Sequence, residues 1–184
     1  PPYLLDTDLI INYQDIKMKK KITNFLNIFL KKSNINNVPI HFEFFEHNKK
    51  IIPIDISLRG AGFGVYSSIL SKIMKQSTDN ILINLLMNKK ITFNNPNQII
   101  FYLSFFYSKR EGIFNGIKNQ KKLLNLDSFI EFELYKKINS KVFFLKNGAN
   151  RLGHCLLGAT NKKIYKDIKF VKNFVKTKVS NERI

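Results

Sequence analysis

Thirty-one Lys and Arg side chains face thirteen Asp and Glu in 184 residues, a formal net charge of +18. A compact chain with that excess repels itself, so its folded state gains from any anion placed beside it. Phosphates serve best, because each Lys or Arg that neutralises one releases a condensed counterion. A plain soluble domain is the duller reading, but most such domains sit within about eight charges of neutral. The sequence is 44% hydrophobic, enough for a core and too much for a disordered basic tail. The length fits one domain, or one small domain with extensions.

The charge is unevenly spread. Residues 1–135 carry 18 basic and 11 acidic side chains, a net of +7, and residues 136–184 carry 13 and 2, a net of +11. A globular body with a more basic end reads as a body docked on nucleic acid and an arm threaded into it. Of the basic residues 27 are Lys and 4 are Arg, which supplies point charges more than bidentate forks. Lys, Ile, Asn and Phe all have AT-rich codons, so their abundance points to a biased genome, such as that of an organelle, parasite or endosymbiont.

A single cysteine, Cys155, excludes an internal disulfide and a zinc site built from several cysteines. The apolar runs fall far short of the roughly 20 residues that span a bilayer. No signal peptide is visible, and the opening Pro1-Pro2 says nothing about targeting.

Residues 1–16 are weakly patterned and read as an irregular extension. Ile22, Phe25, Leu26, Phe29 and Leu30 recur at helical spacing, so a helix ending near Lys31-Lys32 is expected. Val38 to Phe45 alternates as a short strand does, and Pro53 argues against a central strand over 51–58. Val65, Ile69, Leu70 and Ile73 line a helix face after the glycine cluster, and a further short helix covers 81–87. Pro96 stands at a first helical position, continued by Ile99, Ile100, Leu103, Phe106 and Tyr107. Helices are expected around 113–124 and 127–138, the latter with Asp127 as N-cap. Ile130, Phe132 and Leu134 also alternate with Glu131 and Glu133, which leaves a strand open there. Residues 164–175 form a basic amphipathic helix. The expected fold is mainly α: a small helical body with a basic C-terminal extension and little or no sheet.

Chemistry has little focus in this sequence. His41, His47 and His154 show no metal-ligand spacing, neighbouring His154 and Cys155 need not face each other, and the acidic residues are scattered. Neither a catalytic nor a metal role is expected, and no cofactor is implied. Gly60-Ala61-Gly62-Phe63-Gly64 lacks the third glycine of a dinucleotide fingerprint, but a helix start after it offers backbone N–H groups to a phosphate. A plain tight turn explains the same glycines equally well. The 17 Phe and 7 Tyr suit either base stacking or a core, and helical spacing at Phe101, Phe105 and Phe106 favours the core. In 147–163, glycines, Arg151, His154 and lysines suit an irregular phosphate surface.

The stretch from His47 through Arg59-Gly60-Ala61-Gly62 to Ser67-Ser68-Ile69-Leu70 resembles small-subunit ribosomal protein thirteen: a basic turn, an apolar segment, a Gly-x-Gly hairpin and a helix with an Ile-Leu pair. Gly153-His154-Cys155-Leu156-Leu157-Gly158 is similar to that family's glycine-bearing tail motif. The resemblance covers about residues 38–75 and 147–166, and most of the family's tail arginines are missing. It implies a helix–two-turns–helix body in the head of the small subunit of a mitochondrial (organellar) ribosome, without catalysis. The implied partners are small-subunit rRNA, neighbouring ribosomal proteins, the peptidyl-site tRNA and a large-subunit bridge protein, with no membrane. Residues 1–37 become an N-terminal extension with a basic helix, 38–146 the helical body and 147–184 the RNA-binding tail. The implied RNA contacts are Lys49, Lys50, Arg59, Gly60, Gly62, Gly64 and Lys72 in the body, with Arg151, His154, Lys162, Lys163 and Lys166 in the tail. Alternatives are another RNA-binding ribosomal or KH-like protein, or a basic accessory subunit of an organellar membrane complex holding anionic lipid.

Overall fold

The computed structural model describes residues 8–12, 16–62, 65–92 and 100–181. In chain order these hold β1 (Asp8–Asn12), α1 (Ile16–Ser33), β2 (His41–His47), β3 (Lys50–Ser57), a π-helical turn (Val65–Leu70), α2 (Ser71–Met74) and α3 (Thr78–Leu86). There follow β4 (Ile100–Phe106), β5 (Gly112–Lys118), α4 (Gln120–Leu124), β6 (Phe129–Leu134), β7 (Lys141–Val142), β8 (Gly153–Ala159), α5 (Ile164–Phe174) and β9 (Lys176–Ser180). The expectation of a mainly α body with little or no sheet is overturned: the fold is mixed, with nine strands in three antiparallel sheets among the described residues.

The chain divides into two compact units, one of residues 1–14 with 98–184 and the other of 15–97. Residues 147–184, read from their charge as a tail, supply β8, α5 and β9 of the first unit.

In that unit a four-stranded sheet runs in the order β1-β4-β8-β6, and a three-stranded sheet in the order β7-β5-β9. All seven residues of β4, Ile100 to Phe106, are buried, and the strand pairs with β1 on one side and β8 on the other. A strand covered on both faces has no reason to alternate, so its sequence is one apolar run. Such a run mimics a helix in its spacing, which is how the helical expectation over 96–107 arose. Seven residues rich in aromatic side chains suit a strand better, and tertiary pairing decides. Pro96, the expected helix start, lies outside the described residues.

Tyr102, Phe106, Cys155 and Leu157 on one sheet face form a core with Ile164, Ile168 and Val171 of α5. Each such buried side chain contributes about 1.5–3 kcal/mol of transfer free energy, so this layer outweighs local propensity. The helix expected over 113–124 is instead β5 followed by the single turn of α4, with Asn119 in the left-handed region (φ 60°) between them. The helix expected over 127–138 is β6, whose Glu131 and Glu133 alternate with Phe132 and Leu134. Gly153 is required where β8 passes β6: a Cβ there would lie 2.2 Å from the Glu133 carbonyl oxygen.

In the second unit β2 and β3 form an antiparallel hairpin closed by Asn48 and Lys49, both at positive φ (49° and 62°). That is the turn whose twist suits a two-residue hairpin loop. Pro53 is tolerated because the sheet has two strands and the register shifts beside its partner Phe44. Phe25 of α1 stacks on Phe42 at 5.0 Å and 5°, and Lys21 pairs with Glu46, which seats the helix on the hairpin.

Candidate functional site

Pairing register sorts the first unit's side chains by face. Phe105, His154 and Glu133 lie in one cross-strand row, and Ser104, Cys155 and Phe132 in the next, facing the opposite way. His154 and Cys155 are therefore separated by the sheet and cannot act as a nucleophile pair. Burial pushes the Cys155 thiol up to about 12, with Asp8 adding to the shift, so it stays protonated and inert.

The row containing His154 is polar. His154 Nε2 lies 3.7 Å from Glu131 Oε1, its Nδ1 lies 3.9 Å from Glu133 Oε2, and the Tyr135 hydroxyl is 2.7 Å from Nδ1. Burial raises the Tyr135 pKa and the Glu133 charge raises it further, while Arg151 pulls it down. Arg151 is 2% exposed, with its guanidinium carbon 4.0 Å from the centre of the Phe105 ring. Cation–π attraction holds the guanidinium against that ring. Glu131, Glu133 and Tyr135 were missed in the sequence. Their signal was the Glu-x-Glu-x-Tyr alternation, which places three polar side chains on one strand face only if 129–134 is extended.

On the other face, a cleft of about 550 Å³ is bounded by the stretch from Ser104 to Arg110, Lys172 and Val175 of α5, and Lys176 to Val179 of β9. Lys109, Arg110, Lys172 and Lys176 line it, with Asp8 as its acidic residue. The Tyr102 hydroxyl donates to Asp8 Oδ1 at 2.5 Å, and burial raises that phenol's pKa, with the Asp8 hydrogen bond next in effect. Arg110 donates to the Val179 carbonyl and Lys176 to the Lys172 carbonyl, so two of the four cations are anchored at the cleft wall. Its size suits a small molecule and its charge suits an anion.

The sequence-derived contacts fall into both units. Lys49 and Lys50 are exposed at the β2–β3 turn, and exposed Arg59 donates to the Gly60 carbonyl at 2.9 Å. A Cβ on Gly60 would meet the Tyr66 ring at 2.4 Å, while Gly62 accepts from the Val65 N–H at 3.1 Å. Gly64 lies outside the described residues, and Lys72 is on α2. In the first unit His154 is 7% exposed within β8, and Lys162, Lys163 and Lys166 are exposed at the start of α5.

No family model and no curated protein matches the sequence. Solved structures do match it. It is similar to an L-amino acid ligase from Bacillus licheniformis at 13% identity and a TM-score of 0.77, over 98% of this chain and 46% of that one. It is similar to phosphoribosylglycinamide synthetase from Anaerococcus prevotii at 12% identity and 0.71, over 97% and 47%. A third likeness, at 12% and 0.65 over 93% and 46%, is to N5-carboxyaminoimidazole ribonucleotide synthetase from Thermotoga maritima.

The fold is the ATP-grasp fold. The chain spans just under half the length of these structures. The ATP-grasp fold overturns the resemblance to ribosomal protein thirteen, and with it the structural role in the subunit head and the absence of catalysis. The expected partners rRNA, ribosomal proteins, tRNA and bridge protein go too, as does the organellar ribosome as location. The misleading motif was turn chemistry. Gly60-Ala61-Gly62 follows a strand, β3, and does not join two helices, while Gly153–Gly158 lies within the paired strand β8. Glycines wherever backbones crowd give the same short pattern in unrelated folds.

Proposed function

We propose that this chain is the ATP-binding core of a ligase that joins small-molecule substrates at the expense of ATP. The observation that carries the reading is the likeness of nearly the whole chain to an L-amino acid ligase, at a TM-score of 0.77. Two local features support it. Gly60-Ala61-Gly62 follows the end of β3 before a helical turn, with the exposed Arg59 beside it, which suits phosphate oxygens, while Lys49 and Lys50 stand at the opposite end of the same hairpin. The cleft lined by Lys109, Arg110, Lys172 and Lys176 suits an anionic substrate.

Displacement of a fluorescent trinitrophenyl derivative of ATP tests the reading, because the chain has no Trp to report binding by itself. Magnesium-ATP is expected to displace the probe saturably and more strongly than AMP, and Arg59→Glu to weaken the displacement. A probe that does not bind, or that magnesium-ATP fails to displace, overturns the proposal.

A further inference from the structure

The cleft of the first unit gathers more positive charge than one carboxylate neutralises. Four cations line it, Lys109 and Arg110 after β4, Lys172 on α5 and Lys176 at the start of β9, against one acid, Asp8. Arg110 and Lys176 donate to the backbone carbonyls of Val179 and Lys172, and the Lys172 ammonium stands 5.8 Å from the centre of the Tyr102 ring. Neutral partners of this kind fix where the side chains stand without cancelling their charge. A concave space with such walls concentrates anions.

Geometry selects among the anions. The cations reach the cleft from three elements: the stretch after β4, α5 and β9. A carboxylate holds its two oxygens in one plane, where a single guanidinium fork satisfies them. A phosphate monoester carries close to two negative charges at neutral pH and fans out three acceptor oxygens, which suits donors arriving from several sides. Three of the four donors are lysines, compact point charges that serve phosphate well. Asp8 adds a second requirement. Its Oδ1 accepts from the Tyr102 hydroxyl, and its Oδ2 can accept from a ligand. An ammonium group on that ligand would be repelled by the four cations, so the donor that suits Asp8 is a neutral hydroxyl.

We propose that this cleft binds a hydroxyl-bearing phosphate monoester such as a sugar phosphate, its phosphate among Lys109, Arg110, Lys172 and Lys176 and a hydroxyl on Asp8. The site is built within the first unit, and only its service as a substrate site rests on the ligase reading.

Isothermal titration calorimetry of the full chain at low salt tests it, with glucose 6-phosphate, methyl phosphate and citrate as probes. Glucose 6-phosphate is expected to bind saturably at one site, about tenfold more tightly than methyl phosphate, which lacks the hydroxyls. Lys172→Ala is expected to weaken it about tenfold, as loss of a hydrogen bond to a charged group does. Lys121→Ala, at an exposed position on α4 outside the cleft, removes the same charge and leaves the affinity within about twofold. Asp8→Asn, isosteric and exposed, exchanges a charged acceptor for a neutral amide and is expected to cut the preference over methyl phosphate at least about threefold. Heat that does not saturate, equal losses in Lys172→Ala and Lys121→Ala, a preference unchanged in Asp8→Asn, or citrate bound as tightly as glucose 6-phosphate overturns the site. Displacement of the trinitrophenyl probe, measured in parallel, reads the ligase proposal separately: a chain that binds glucose 6-phosphate but not magnesium-ATP keeps the site and loses that reading.

Discussion

Cys155 is the residue for which position in the sheet says most. Its neighbour His154 suggested reactivity, yet in a strand adjacent side chains point to opposite faces, and Cys155 is fully buried in the core. Ellman's reagent is therefore expected to leave the native chain untouched at pH 8 and to titrate one thiol in guanidinium. The raised pKa also fixes a pH dependence. An unfolded thiol loses its proton near 9, while the folded one keeps it until about 12. Between those values the unfolded state binds fewer protons, so stability falls as pH rises through that window. The raised Tyr102 hydroxyl acts in the same direction. A Tm series from pH 7 to 11 checks the sign; a Tm that rises above pH 9 would contradict it. None of this was legible beforehand, because the sequence shows that His154 and Cys155 are adjacent but not that they lie on a strand.

Among the elements, β6 and β8 carry the account, and their spacing depends on Gly153. Gly153→Ala puts a methyl carbon against the Glu133 carbonyl and is expected to cost about 2–3 kcal/mol, as overpacking against backbone does. Gly62→Ala meets nothing within 4 Å and is expected to stay within about 0.5 kcal/mol. Urea unfolding followed by circular dichroism compares the two, and equal losses would contradict the role given to Gly153. The amphipathic helices were readable: Ile164, Ile168 and Val171 recur on one face of α5, and Phe25 lies on the face of α1 that meets the hairpin. The interior strand β4 was not, since burial on both faces erases the alternation that marks a strand. Glu131 and Glu133 showed their alternation, but it was weighed against a helix capped by Asp127, and what decides between them is pairing with β8, a long-range contact. The candidate site stayed hidden for the same reason: Glu131 and His154 are 23 residues apart in sequence and meet only across that pairing.

The whole molecule still carries its +18, and self-repulsion remains a physical fact after the ribosomal reading is withdrawn. Raising sodium chloride from about 50 to 500 mM shortens the screening length several-fold, so the Tm is expected to rise by several degrees. A Tm unchanged over that range would show that the charges are already locally compensated. High charge announced a need for anions and could not say which, because the electrostatics of a polynucleotide and of a nucleotide begin with the same phosphate. The tertiary arrangement of strands shows the ATP-grasp fold, and a nucleotide as the anion belongs to the function proposed for it. The most direct test is phosphate release from magnesium-ATP by the full chain, with and without a panel of amino acids and small carboxylates. The account predicts release stimulated by at least one small-molecule acceptor and lowered by Arg59→Glu; release no faster than in the protein-free control with every acceptor would contradict it.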